Sequence, residues 1–466
     1  MLRFSSVVGV LIVLCLPAGV HAQAVPAPES STLTLDQALR YAVDHYPSVR
    51  AAMEQVNAST AGVQLAKTAY LPRLDSLWQS NLATTNNVFG QVLPQSVIPA
   101  LSGPVLPNAS SQGVWSSATG AFASWEPFDF GLRGATVAGA EAAVTRARAG
   151  AAMTQLDVQS AVGAAFLNLA AAQEAVKSAQ ADVDRRDVLV RMIQTLVDNQ
   201  LRPGADASRA GAERAAAQTR LLLAQQTAAV AEATLTRLLG GTPGAVSIDA
   251  TGLLGRVPAE DGPATAAAAH PLALLRQASV SAAEAQQRVL ARTDYPRVYV
   301  QSSLSARGSG ADPNGTLSAG PDGLGLERVN WAAGIQVVFP NVFDFASLSA
   351  RKAAASATTR AESALYDEAL LTVTAQQQVA RATLQAARAI AANTPVQLAA
   401  ARQSETQARA RYDAGLATLN ELADAQSLLA QAEVQDQVAR VDVWRALLSR
   451  AVADGSLASF LTQLRP

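Results

Sequence analysis

Two stretches of strict alternation interrupt a chain otherwise patterned for helix. Leu74, Ser76, Trp78, Ser80 and Leu82 alternate with Asp75, Leu77, Gln79 and Asn81. Val298, Val300, Ser302 and Leu304 alternate with Tyr299, Gln301, Ser303 and Ser305. A period of two sends successive side chains to opposite faces and predicts a strand. Each stretch is followed by a turn-rich loop, over residues 86–113 and 308–327, and then by a second extended run. The four strands are placed at about 72–84, 114–127, 296–307 and 330–340. Between them the chain is rich in Ala, Leu, Val, Gln and Arg and predicts helices at about 34–69, 131–199, 205–239, 271–293, 344–412 and 417–453. Thr34 is a candidate N-cap with Asp36 and Gln37 in the first turn, and Pro47 suits a helix start because its missing N–H would be unpaired there. Residues 132–198 contain no proline, so one helix of about 100 Å is expected at 1.5 Å per residue. Glycine and proline provide the stops, at Arg202-Pro203-Gly204, Gly240-Gly241-Thr242-Pro243 and Gly415. Pro395, inside a helical stretch, marks a kink site.

The plan is written twice. Pro47 lies 25 residues before Pro72, and Pro271 lies 25 residues before Pro296. Phe128-Asp129-Phe130 is echoed by Phe343-Asp344-Phe345, and the break at Arg202-Pro203-Gly204-Ala205 by Asp413-Ala414-Gly415-Leu416. A period of roughly 210–225 residues is far too long for a solenoid unit, so each half is a large duplicated unit. The expected boundaries are a leader at 1–22, a first repeat at 33–241, a linker at 242–264, a second repeat at 265–453 and a tail at 454–466.

Composition narrows the class. Of 466 residues, 49% are hydrophobic but only 5% aromatic, because much of the apolar content is alanine. Alanine favours helix and close packing yet buries little area, which suits long helices touching along their lengths. The net charge of -1 gives no reason to expect nucleic acid. Arg3 followed by the apolar run 7–16 reads as a secretory signal, with cleavage after Val20-His21-Ala22 or Ala22-Gln23-Ala24. Cys15, the one cysteine, follows Leu14 rather than the small residue that lipid attachment requires, so it is expected to leave with the signal. No later stretch reaches 18 apolar residues, the length of a transmembrane helix.

Long helices of this kind cannot bury their apolar stripe alone. Two strands per half also leave a small sheet with open edges, which a bilayer forbids. Closing the sheet across several copies of the chain satisfies both demands. Trp78, Trp115, Trp125, Tyr299 and Trp331 fall in the strand zones and are candidates for a membrane girdle.

This pattern resembles the TolC family of outer-membrane efflux proteins. The resemblance rests on the duplicated helix–strand–loop–strand–helix plan, on Tyr70-Leu71-Pro72-Arg73 at the first strand, and on the run from Arg411 to Leu422 continuing into Asp424-Ala425-Gln426. It implies a mainly α fold with a small β part. A homotrimer would close a 12-stranded outer-membrane barrel, four strands per chain, above a helical periplasmic tunnel in a Gram-negative bacterium. It also implies a periplasmic adaptor and an inner-membrane transporter as partners. It places aperture acids on Glu421 and Asp424 and a tip tyrosine on Tyr412. Adaptor contact falls on the two tip turns, Leu201, Arg202, Pro203, Gly204 and Ala205 in one and Gly415, Leu416, Ala417 and Thr418 in the other. As an i, i+3 pair, Glu421 and Asp424 share a helix face and would form an acidic ring when repeated about an axis. Two departures stand out: Ala417 replaces a basic residue of some members, and Ala210 stands where an acid would pair with it, with Asp206 and Arg209 as candidate substitutes.

Catalytic chemistry is absent from the pattern. His45 and His270 both precede proline-started helices and read as helix-boundary residues, so neither a metal nor another cofactor is expected. Lysine occurs only at Lys67, Lys177 and Lys352, none after a glycine-rich loop, which excludes a P-loop. Asp182 and Asp184 are expected on a solvated helix face. The reading is a passive outer-membrane exit duct for efflux or secretion. The alternative is a periplasmic coiled-coil scaffold without a pore.

Overall fold

The computed structural model describes residues 32–84, 112–201, 203–240, 247–255, 265–310, 316–318, 320–340 and 344–464. The leader, Arg202, Phe343, most of the first loop and part of the linker lie outside the described residues.

In chain order the elements are β1 (Thr32–Leu33), α1 (Leu35–His45), α2 (Pro47–Thr68), β2 (Arg73–Thr84), β3 (Gly113–Phe128), α3 (Leu132–Asp198) and α4 (Gly204–Leu238). Then follow β4 (Ser247–Ile248), α5 (Thr251–Leu254), α6 (Pro271–Arg292), β5 (Arg297–Ser309), β6 (Arg328–Val338), α7 (Phe345–Asp413), α8 (Leu419–Ala453) and α9 (Ala458–Leu464). Thr34 caps α1 through a reciprocal pair of hydrogen bonds with Gln37, and Pro47 and Pro271 stand in the first turns of α2 and α6. His270 holds its boundary from both sides: Nδ1 accepts from the Leu272 N–H at 3.0 Å, and Nε2 contacts the Val452 carbonyl at 3.1 Å. The helix α7 continues through Pro395 without a break.

The 67 residues of α3 and the 69 of α7 give rods of about 100 Å. α3 packs on α4, α2, α6 and α8, and α7 packs on α8 and α6. Where α3 meets α8 the approach depends on Gly163, because a Cβ there would stand 2.8 Å from Leu448 Cδ2. The largest core gathers at mid-length, with Leu39, Phe166, Leu167, Trp444 and Phe460 all but fully buried. Segments expected as linker and tail build this belt. β4 pairs in parallel with β1, the carbonyl of Leu253 in α5 accepts the Trp444 indole N–H at 2.7 Å, and Phe460 of α9 packs edge-on to Trp444. The tail is therefore a core element, drawn in because Phe460 and three leucines, Leu457, Leu461 and Leu464, follow the last long helix.

The main sheet is antiparallel, in the order β2-β3-β5-β6, with β2 and β6 at its edges.

Candidate functional site

The two helical turns that end α3 and α7 have one geometry. Gln200 and Gly415 take left-handed backbone (φ 59 and 71). Leu201 N–H then donates to the Leu196 carbonyl, and Leu416 N–H to the Arg411 carbonyl, both at 2.8 Å. This arrangement satisfies the orphan carbonyls of a helix end and reverses the chain. Beneath the turns, Leu189, Ile193, Ala210, Tyr412, Ala417, Leu419 and Leu422 form one buried cluster, so the two turns are a single packed tip. Leu201 and Leu416 remain exposed at the two turns, as do Pro203, Gly204 and Ala205. Tyr412, expected at an aperture, is only 3% exposed. Its ring fills the tip cluster. Ala210 also packs here, so the position where an acid was sought supplies apolar contact.

Glu421 and Asp424 are both exposed on α8. Glu421 is committed: it forms a capping box with Thr418, and its carboxylate lies 3.6 Å from Arg411. Asp424, one turn on, has no hydrogen-bond or ion-pair partner among the described residues.

Farther along α3 lies a network the sequence reading missed. Asp182 was expected to be solvated, but it is 3% exposed, and Arg186 is 1% exposed. Arg186 donates from Nε to Asp182, from Nη1 to Glu213 of α4 at 3.1 Å and from Nη2 to Ser427 of α8 at 3.0 Å. Arg220 of α4 reaches Asp182 from the other side at 2.9 Å, and Arg185 pairs with Glu433 of α8. One buried guanidinium thus ties α3 to both α4 and α8. Asp184 is exposed, as expected. The Asp182–Arg186 spacing of four residues was the available signal.

The ladder registers sort the sheet residues onto two faces. Opposed residues in an antiparallel pair share a face. Trp78 opposes Thr119, Leu82 opposes Trp115, Trp125 opposes Val300, and Leu304 opposes Trp331. One face therefore carries Leu74, Trp78, Leu82, Trp115, Trp125, Val300, Leu304, Val329, Trp331, Ile335 and Val337. The other is mainly polar, with Arg73, Asp75, Gln79, Asn81, Tyr299, Gln301, Ser303, Ser305, Arg307, Arg328, Asn330 and Gln336, and carries Leu77 and Phe122 as its large apolar residues. Tyr299 opposes Gln336, so it leaves the expected aromatic girdle and belongs to the polar face. Trp115 and Trp125 are ten residues apart on β3. At about 3.3 Å per residue and a 35–45° tilt they span roughly 25 Å, the height of an apolar barrel band. Trp78 and Trp331 lie at registers between them. Most of the apolar face is open to solvent in the single chain; Trp78 is 72% and Trp331 79% exposed.

Where β3 turns into α3, Asp129 accepts from the N–H groups of Gly131 and Arg133 and from the Arg133 guanidinium. Burial pushes its pKa up, but these bonds and the Arg133 charge outweigh it and hold the carboxyl below its ordinary value. Arg133 also donates to the Ala69 carbonyl and lies over the Tyr70 ring. This corner fixes the sheet to the helices.

Among the described residues no group of three or more His, Cys, Asp or Glu side chains could hold a metal, and no helix is long and apolar enough to cross a membrane.

The model of the outer membrane efflux protein family matches residues 38–241 and 265–450. Protein CyaE of Bordetella pertussis is 27% identical over 411 residues, covering 86% of this chain and 80% of CyaE. Among solved structures, the outer membrane protein VceC of Vibrio cholerae superposes with a TM-score of 0.71 at 19% identity, covering 91% of this chain and 96% of VceC. The Campylobacter jejuni CmeC outer membrane channel gives 0.73 at 14% identity over 92% of this chain and 89% of its own. The open state of the Neisseria gonorrhoeae MtrE outer membrane channel gives 0.72 at 18% identity over 91% and 89%. At these identities the structures establish the fold.

Proposed function

The chain belongs to the outer membrane efflux protein family, and from that membership we propose how its parts work as an exit duct. It sits in the outer membrane and extends into the periplasm. Three copies close their sheets edge to edge, β6 of one copy against β2 of the next, into a 12-stranded barrel. The observation that carries this reading is the sheet itself, which has one apolar face, one polar face and two unpaired edges. In lipid an open edge costs several kcal/mol per unpaired backbone group, so the sheet must close, and its apolar face must turn outward. The long helices ask for the same neighbours. Leu222, Leu223 and Val230 of α4, and Leu371, Val379, Ile390 and Val396 of α7, are exposed in the single chain and are covered when copies associate.

Transport through the duct is passive. A periplasmic adaptor docks on the tip turns, where Leu201 and Leu416 are offered as anchors. It couples the duct to an inner-membrane transporter that supplies the energy. Glu421 and Asp424 line the aperture, and Asp424 is the one with its carboxylate uncommitted. Single-channel conductance of the purified trimer in a planar bilayer tests this, beside Glu421→Ala plus Asp424→Ala. A small cation-selective conductance that grows or loses selectivity in the variant is expected. No channel from folded protein would sink the duct reading, and an unchanged conductance would move the gate away from these acids.

A further inference from the structure

The polar face of the sheet carries a charge arrangement that neither the tip nor the family membership explains. Arg307 of β5 and Arg328 of β6 oppose each other directly in the ladder, at the hairpin end of the strands, away from the helices. Opposed residues have Cβ atoms about 4.5–5.5 Å apart, and like charges at that spacing destabilise a sheet. Both arginines are exposed, and among the described residues neither has an ion-pair or hydrogen-bond partner. Their neighbour across the ladder is Ala118, which offers no counter-charge.

Among the described residues, the acids nearby do not neutralise them on that face. The four strands contain two acids, Asp75 and Glu126, both toward the helical end, and Asp75 is paired with Arg73 at 3.1 Å. Residues 85–111, the first hairpin loop, contain no charged residue. In the second loop Asp322 takes the Ser318 hydroxyl, and the segment carrying it packs on the opposite, apolar face. There the Gly323 carbonyl accepts from Ser117 Oγ at 3.2 Å, and a Cβ on Gly308 would collide with Gly325. Asp312 lies outside the described residues, and Glu327 precedes Arg328 at the rim.

With the apolar face outward, this face lines the lumen. We propose that the Arg307 and Arg328 pairs of three copies form a six-guanidinium ring near the outer end of the duct, which binds anionic groups, phosphate or carboxylate. The inference rests on the trimeric barrel reading. A guanidinium presents a planar fork of donors that matches either oxyanion, and rings of arginine serve anion and phosphate pores. The duct then has opposite charge at its two ends, acidic at the tip and basic at the mouth. An anionic solute that has passed the tip is drawn to the exit.

The test is block of the reconstituted trimer by inositol hexakisphosphate, applied to either side and compared with Arg307→Gln plus Arg328→Gln. Both positions face water in the lumen, so the variant folds, and its trimer is verified before recording. Block of the wild type, with affinity lowered about tenfold or more in the variant and weakened between 0.1 and 1 M salt, supports the ring. Block from the barrel side alone identifies the bound anion as one met outside the cell. Block from both sides, lost from both in the variant, identifies it as a group that travels through the duct. A conducting wild type that is not blocked, or a variant blocked as well as the wild type, overturns the ring while leaving the duct intact. Protein that forms no channel overturns the duct reading beneath it.

Discussion

The buried Arg186 network makes the sharpest claim about how this duct holds its shape. Arg186 is 1% exposed and donates to three side chains on three helices. Arg186→Met keeps the apolar stem and deletes the charge. Asp182 is then left buried with Arg220 as its remaining partner, and Arg220 is half exposed and hence better solvated. Removing one member of a buried pair costs about 3–5 kcal/mol. Because Arg220 stays, the lower end, about 3 kcal/mol, is expected. Glu213 and Ser427 add little, since Glu213 reaches solvent. The second arm removes both charges. Asp182→Leu plus Arg186→Met should return to within about 1 kcal/mol of wild type, because well-packed apolar pairs often match buried ionic ones. Local opening measured by hydrogen exchange suits a membrane trimer better than a global melt. Residues 178–190 of α3 and 424–434 of α8 are the segments to read. A cost of 3 kcal/mol corresponds to exchange roughly 150-fold faster, at 1.36 kcal/mol per factor of ten. If the single change speeds exchange less than threefold, or if the double variant opens as readily as the single, the network is not what joins these helices.

Two further outcomes follow from the sheet and its corner. Leu304→Arg places a charge on the apolar face and should cost about 2–4 kcal/mol per copy at the bilayer midplane, whereas Ser303→Arg on the polar face should be tolerated; equal amounts of assembled outer-membrane trimer from both variants would reverse the assignment of faces. Asp129 has a depressed pKa, so its contribution to stability is fully present above the ordinary value near 3.9 and is lost as pH falls through the lower folded value. Asp129→Asn should remove that acid-side loss from the exchange of residues 129–136, and an unchanged pH profile would show that the Asp129–Arg133 corner is not what acid breaks.

The fold class was legible because its signals are periodic. Alternation at Leu74–Leu82 lies inside β2, and the proline-free run 132–198 is α3. What escaped were features set by partners in space. Nothing local distinguishes Asp182 from Asp184, since only the packing of α4 and α8 buries one and leaves the other in water. The resemblance marks Tyr412 as a tip tyrosine, but that its ring is the body that fills the alanine-rich tip shows only in the packing. Tyr299 was grouped with the tryptophans by residue type; the ladder register, which its neighbours' alternation already encoded, puts it with Gln301 and Gln336. The tail was unreadable as core because Phe460 finds Trp444 only after the chain doubles back.

The duplication shows where selection kept the plan and where it did not. A shift of 215 residues superposes Gln200 on Gly415, and with it Leu201 on Leu416, Pro203 on Thr418 and Asp206 on Glu421. Both turns keep the same backbone hydrogen bonds and an exposed leucine. The same shift carries Asp182, Arg186 and Glu213 onto Gln397, Ala401 and Leu428. At that level the second half packs Ala401 with Leu398, Leu429 and Ala432, and its buried acids, Glu405 and Asp436, lie a turn to either side of that cluster. The two halves therefore solve one packing problem in two ways. The apolar solution is available to this scaffold and costs no desolvation, so the ionic one is not required for stability alone. What it adds is position, because a guanidinium with partners on three helices is satisfied in one register, whereas an alanine–leucine seam tolerates sliding. Because Ser427 and Glu433 of α8 are among the partners of Arg186 and Arg185, the network also holds α8, the helix that carries Glu421 and Asp424, against α3.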